Sequence, residues 1–155
     1  MASAKDSGEK LIASNKKALH DYFVLQKLEA GIELMGTEVK SLRGGKANLK
    51  DSYVAIERDQ AYLIGAHISP YSHGNIANHD PERRRRLLLH KREIEKLHEQ
   101  IQEKGLTVVP LRLYFKGGRV KTEIAVVRGK KLYDKRETEK RREQEREAAA
   151  AMKVR

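Results

Sequence analysis

The 155-residue sequence has no cysteine, which excludes disulfides, thiolate catalysis and Cys-ligated zinc and fits a reducing compartment. No stretch approaches the ~20 consecutive apolar residues that cross a bilayer, and the N-terminal region holds no apolar run of signal-peptide type. A soluble, cytoplasmic protein with no membrane partner is therefore expected. Aromatic residues make up only 5% of the chain, yet the apolar residues gather in periodic segments that can build one core. Acidic residues are the scarcer charge: 22 Asp and Glu stand against 33 Lys and Arg, leaving +11 at neutral pH. A surplus of that size matters most beside a polyanion, so nucleic acid is the first partner to consider. The length suits one core domain with tails, because two halves would each be short of buried surface.

Residues 1–14 are small, polar and without period, and read as a flexible arm. The domain then spans residues 15–129. Tyr22 to Leu28 alternates Tyr22, Val24, Gln26 and Leu28 against Phe23, Leu25 and Lys27, a strand with both faces partly covered. Ala30 and Gly31 are expected to end it before a second short strand, Ile32 to Met35. Thr37 to Leu42 predicts a short helix stopped by Gly44 and Gly45. Tyr53 to Glu57 and Ala61 to Ile68 predict a hairpin across Arg58, Asp59 and Gln60. A second hairpin joins Thr107 to Phe115 with Val120 to Val127 through Gly117 and Gly118. Between the hairpins, Asp80 as cap, Pro81 in the first turn and Gly105 as stop predict one long helix, with Leu87, His90, Ile94, Leu97 and Ile101 on its inward stripe. Six short antiparallel strands with about three helices suggest a mainly β fold, a small closed barrel of oligonucleotide-binding type, since closure removes exposed edges. From Arg128 onward the chain holds eleven basic and six acidic residues, and no apolar side chain lies between Tyr133 and Ala148. Residues 130–155 thus predict a basic tail that is disordered alone and helical against a partner.

The cations fall in three groups: Lys40, Arg43 and Lys46 around the glycine turn; Arg83, Arg84, Arg85 and Arg86, placed at the start of the long helix; and the tail. A single lysine is ordinarily a solvated surface residue, but four arginines against a helix dipole need an offsetting anion, and phosphate is one. The Arg43-Gly44-Gly45-Lys46-Ala47 stretch fails as a phosphate loop, with Lys40 in place of the first glycine and Ala47 in place of Ser or Thr. His67, His73 and His79 lack metal-ligand spacing, so no metal is expected. Glu29 and Glu38 admit three roles: acid-base work, surface pairing with Lys27 or Lys40, or acceptance of hydrogen bonds from base edges and 2′-hydroxyls. The strand tyrosines, Tyr22 among them, can stack on bases, and are as often core or rim residues. Nuclease chemistry would need a metal-binding acid cluster or a nucleophile, and neither is present. Taken alone, these features describe an RNA-binding barrel with a basic tail; a ribosomal protein or a general RNA chaperone fits them equally.

The ordered motifs NKKALHDYFVLQKLEAGIEL, GTEVKSLRGGKANLKDSYV, HDPERRRRLLLHKREI and TVVPLRLYFKGGRVKTEIAVVRGKKLYDKR closely resemble the SsrA-binding protein family, also called small protein B, over residues 15 to about 140. The resemblance implies a non-catalytic oligonucleotide-binding barrel, with no cofactor, that binds the tRNA-like part of tmRNA. It also implies delivery with GTP-bound elongation factor Tu to a stalled ribosome; a monomer is the expected state. Asn15 and Glu29 match family positions tied to tmRNA binding, and the turn carrying Glu38, Lys40, Ser41, Arg43, Lys46 and Asn48 matches an RNA-contact region. In the tail, Asp134, Lys135 and Arg136 match the motif that enters the vacant message channel near the small-subunit decoding centre. Lys130, Lys131 and Lys140 flank that motif, and Tyr133 stands where some members carry His.

Overall fold

A computed structural model describes residues 8–71, 78–130 and 146. Among the described residues, nine strands and three helices run in the order β1 (Glu9–Ser14), α1 (Lys16–Asp21), β2 (Tyr22–Ile32), α2 (Gly36–Arg43), β3 (Ala47–Asn48), β4 (Tyr53–Glu57), β5 (Gln60–Ile64), β6 (His67–Ile68), β7 (Arg85–Leu88), α3 (Lys91–Gln102), β8 (Leu106–Lys116) and β9 (Arg119–Gly129). Seven of the strands form one antiparallel sheet ordered β1-β8-β9-β2-β7-β5-β4, and β3 pairs with β6 beside it. The sheet curls until β4 packs against β8, which gives the antiparallel barrel that the pattern predicts, with more strands than the six expected.

Both hairpins close on two-residue turns. Arg58 and Asp59 (φ 49° and 62°), like Gly117 and Gly118 (φ 59° and 78°), are left-handed, and that handedness matches the twist of the flanking strands. Gln60, expected in the first loop, instead opens β5 opposite Glu57. The main core gathers Leu42, Leu49, Leu63, Leu87, Leu97, Val108, Leu113 and Ile124. A smaller cluster of Ala18, Val109, Leu111, Ala125 and Val127 lies beneath α1, with Tyr22 and Val24 packed on it. Two bulges make this division possible. The register shifts between Val24 and Gln26 in β2 and between Pro110 and Arg112 in β8. Each extra residue reverses the faces of its strand, so Val24 and Val109 serve the small cluster while Leu28 and Leu113 serve the main core.

Four expectations are corrected. Glu9–Ser14 is an edge strand on β8 rather than flexible arm: backbone pairing, helped by partly buried Ile12 and Ala13, orders a segment with too little periodicity to announce itself. Ala30 and Gly31 do not break β2. Both pair with β9, and a Cβ on Gly31 would sit 3.2 Å from that of Leu88, so the glycine admits β7 at close range. Helix α2 is capped at Met35 rather than Thr37, its first turn closed by the Glu38 carboxylate accepting from the Met35 amide at 2.7 Å. The long helix is the largest difference. Asp80 accepts from the amides of Glu82 and Arg83 in a turn that does not continue, Arg85–Leu88 becomes an interior strand between β2 and β5, and α3 begins only at Lys91.

Candidate RNA-binding surface

The four arginines are consequently strand and turn residues, each with a carboxylate partner. Arg85 is fully buried, and its Nε donates to Glu38 Oε2 at 2.7 Å while its terminal nitrogens reach the carbonyls of Ala66 and Pro81. Arg83 donates to Glu38 Oε1 at 2.7 Å, Arg84 pairs with Glu57 at 2.6 Å and lies over the Tyr62 ring, and Arg86 pairs with Glu33 at 3.2 Å. Burial alone would raise the Glu38 pKa, but hydrogen bonds from Arg83, the Met35 amide and Arg85 outweigh it and hold the carboxyl below its usual range. Carboxylates within the protein answer the charge of this cluster in this conformation.

Other expected site residues are likewise interior. Asn15 is buried, capping α1 at the Ala18 amide and donating to the carbonyls of Leu49 and Pro110. Ser41 is buried with its hydroxyl on the Ser69 carbonyl at 2.7 Å. Buried side chains with occupied polar atoms cannot meet a phosphate in this conformation. His79 is structural too: the Ile68 carbonyl can only accept, so Nε2 carries the proton, and Nδ1 accepts from the Thr37 hydroxyl at 2.9 Å. Among the described residues no group of His, Asp and Glu is placed to hold a metal ion.

The glycine turn keeps its expected display. Lys40, Arg43, Lys46 and Asn48 are exposed, Gly45 takes the left-handed φ of 69° that lets the turn close, and Lys46 is fixed by backbone bonds to Ser41 and Ser69. Lys40 lies 5.6 Å from the Tyr71 ring centre, and neither Arg43 nor Lys46 has an acidic partner among the described residues.

Glu29 lies on the rim of a different feature, an open cleft of about 760 Å3 between β2, β7 and the start of α3, lined also by Gly31, Arg86, Leu88, His90 and Lys121. The buried Tyr114 donates its hydroxyl to Glu29 at 2.6 Å and Lys116 approaches at 3.2 Å. The Tyr114 bond, with help from Lys116, outweighs desolvation and depresses the Glu29 pKa. Burial, with the same bond, pushes the Tyr114 phenol upward, so it remains a donor. The result is a fixed, ionised acceptor beside Lys116 and Lys121, with Leu88 46% exposed nearby. Such a set can accept from a base edge or 2′-hydroxyl, take phosphate on the lysines and pack a sugar or base on the leucine. Sequence reasoning missed Lys116, Lys121 and Leu88, and read Tyr114 as a base-stacking candidate rather than as the donor to Glu29. The one available signal was the hairpin register, which sets Tyr114 opposite Lys121. Tyr22 is half-buried on the small cluster. Lys130 reaches over the Phe23 ring, whereas Lys131, Tyr133, Asp134, Lys135, Arg136 and Lys140 lie outside the described residues.

Fold and surface together define an RNA-binding barrel protein. The family model described as SmpB protein matches residues 12–154. An SsrA-binding protein of Geotalea uraniireducens is 60% identical over 147 residues, covering 95% of this chain and 97% of its own. One from Geobacter sulfurreducens is 58% identical over 146 residues, covering 94% and 95%. A solved chain described as "tmRNA-SmpB: a journey to the center of the bacterial ribosome" superposes with a TM-score of 0.66 at 47% identity, covering 76% of this chain and 83% of that one. The chain belongs to the SmpB protein family.

Proposed function

We propose that this protein binds the tRNA-like part of tmRNA with the Glu29 cleft and the Lys40, Arg43 and Lys46 turn, and carries it to stalled ribosomes for trans-translation. The observation that carries this reading is the Glu29 carboxylate, held ionised by Tyr114 and Lys116 with Lys121 beside it on the cleft wall, because a fixed acceptor next to cations adds selectivity to a phosphate-binding surface. The names of the relatives and of the structural neighbour agree with it. The protein performs no catalytic step, works in the cytoplasm as a monomer, and meets elongation factor Tu with GTP only through the RNA. Residues 130–155, with Asp134, Lys135 and Arg136 foremost, serve the ribosome. Binding of Glu29→Arg to tmRNA and to bulk tRNA tests the cleft. Discrimination should fall even though the change adds positive charge; unchanged discrimination would remove the cleft from the site.

A further inference from the structure

At the far end of β2 from Glu29, a second concavity of about 310 Å3 opens between α1, the 49–53 turn and the start of β8. Tyr22 pairs with Gly129 and Glu29 with Glu123, so seven strand positions, roughly 23 Å at ~3.3 Å per residue, separate the two features. Tyr22 and Tyr53 both line the smaller one, over apolar Ala18 and Val109, and Tyr53 is 45% exposed. Its walls are rigid. The Asn15 side chain joins all three, capping α1 at 3.1 Å and bonding Leu49 and Pro110 at 3.2 and 2.9 Å, and the Ser52 hydroxyl closes the turn on Leu49 at 2.6 Å.

The rim carries Asp21 and Asp51, with Lys17 paired to Asp51 at 2.6 Å. Leading to it from the glycine turn, exposed Lys46, Asn48 and Lys50 alternate with Ala47 and the buried Leu49. A line of cations ending at an aromatic-lined slot is the arrangement that binds an unpaired nucleic-acid strand, phosphates on the cations and a base on the rings.

We infer that the Tyr22–Tyr53 slot takes one unpaired base of a single-stranded RNA segment whose flanking phosphates follow Lys50 and Lys46. Asp21 and Asp51 can each accept further hydrogen bonds, which favours bases with an exocyclic amine (adenine, cytosine, guanine) over uracil. The inference rests on the RNA-binding reading above but not on the Glu29 cleft.

The chain has no tryptophan and six tyrosines, so its intrinsic fluorescence reports stacking on tyrosine. The full chain is titrated with seven-nucleotide adenylate, cytidylate and uridylate oligomers, with amide shifts mapped by NMR. Adenylate and cytidylate should quench the emission and move Tyr22, Ser52, Tyr53 and Thr107, with uridylate several-fold weaker. Tyr53→Ala should lose about tenfold in affinity, and Tyr53→Phe, which keeps the ring, should retain it; both are checked for an unchanged melting temperature. Shifts confined to the Glu29 cleft, or equal binding by Tyr53→Ala, would overturn the slot. Folded tmRNA bound by Tyr53→Ala and Glu29→Arg in parallel separates the two assignments: loss in Glu29→Arg with oligomer binding indifferent to Tyr53 removes only the slot.

Discussion

At Glu38 one carboxylate, fully buried, answers two guanidiniums and an amide at once. Because Arg85 opens β7 and Arg83 lies just before it while Glu38 belongs to α2, the group ties the glycine-turn cations to the strand that carries Leu88. Glu38→Gln would leave two cations without a counter-charge, one of them fully enclosed, and should cost about 3–5 kcal/mol in denaturant unfolding. Since the folded pKa lies below the usual 4.5, this stabilisation is present above that value and is lost as pH falls through the depressed one. Melting temperature against pH should therefore drop on the acid side in the parent protein and less steeply in Glu38→Gln; parallel acid limbs would show that Glu38 is not the titrating group. Position along the chain could not disclose this partnership. The sequence marks Glu38 as an acid among cations, a pattern equally good for a base-edge acceptor, and only the 45- and 47-residue separations closed by the fold decide for an internal ion pair.

At the scale of elements, the two hairpins, α2 and the last three turns of α3 were legible because each depends on neighbours in sequence: paired left-handed turns, a Gly-Gly stop, an Ile94–Leu97–Ile101 stripe. The segment from Asp80 to His90 was not. An Asp-Pro turn followed by leucines reads as a capped helix, yet the period of two in burial, Arg85 and Leu87 inward with Arg86 and Leu88 outward, is that of a strand, and its partners β2 and β5 lie tens of residues away. The bulges were hidden for the same reason, since a reversal of faces shows only against the paired strand. The functional consequence concerns salt. Arg84 and Arg86 already have carboxylates, so Arg84→Ala with Arg86→Ala should hardly change the dependence of RNA affinity on salt. Lys40, Arg43 and Lys46 changed together to Ala should lower the log–log slope by up to about 0.9 for each lost phosphate contact. A salt series from each variant distinguishes them, and equal slopes would mean that the arginines, not the turn, supply the phosphate contacts.

Across the whole molecule, apolar periodicity ends at Val127, and the last strand ends at Gly129. The 26 residues from Lys130 to Arg155 hold no apolar side chain between Tyr133 and Ala148, so their removal should leave the barrel intact. Truncation after Gly129 is expected to preserve melting temperature and tmRNA affinity within about twofold, because the Glu29 cleft and the glycine turn lie wholly in the retained part. Ribosome rescue should nevertheless fail. Helical throughout, the segment would span about 39 Å at ~1.5 Å per residue, enough to probe a channel well beyond the barrel. A vacant channel lined with phosphate would stabilise a basic helix that is marginal alone, whereas a channel filled with message would exclude it. Replacing Asp134, Lys135 and Arg136 together by Ala should reproduce the defect if contacts near the decoding centre, rather than bulk charge, carry the signal. Tagging of a nascent chain on a message without a stop codon is measured beside tmRNA binding by the same two variants. Tagging that survives in both would mean that the barrel alone performs rescue, and the assignment of the tail to the ribosome would be wrong.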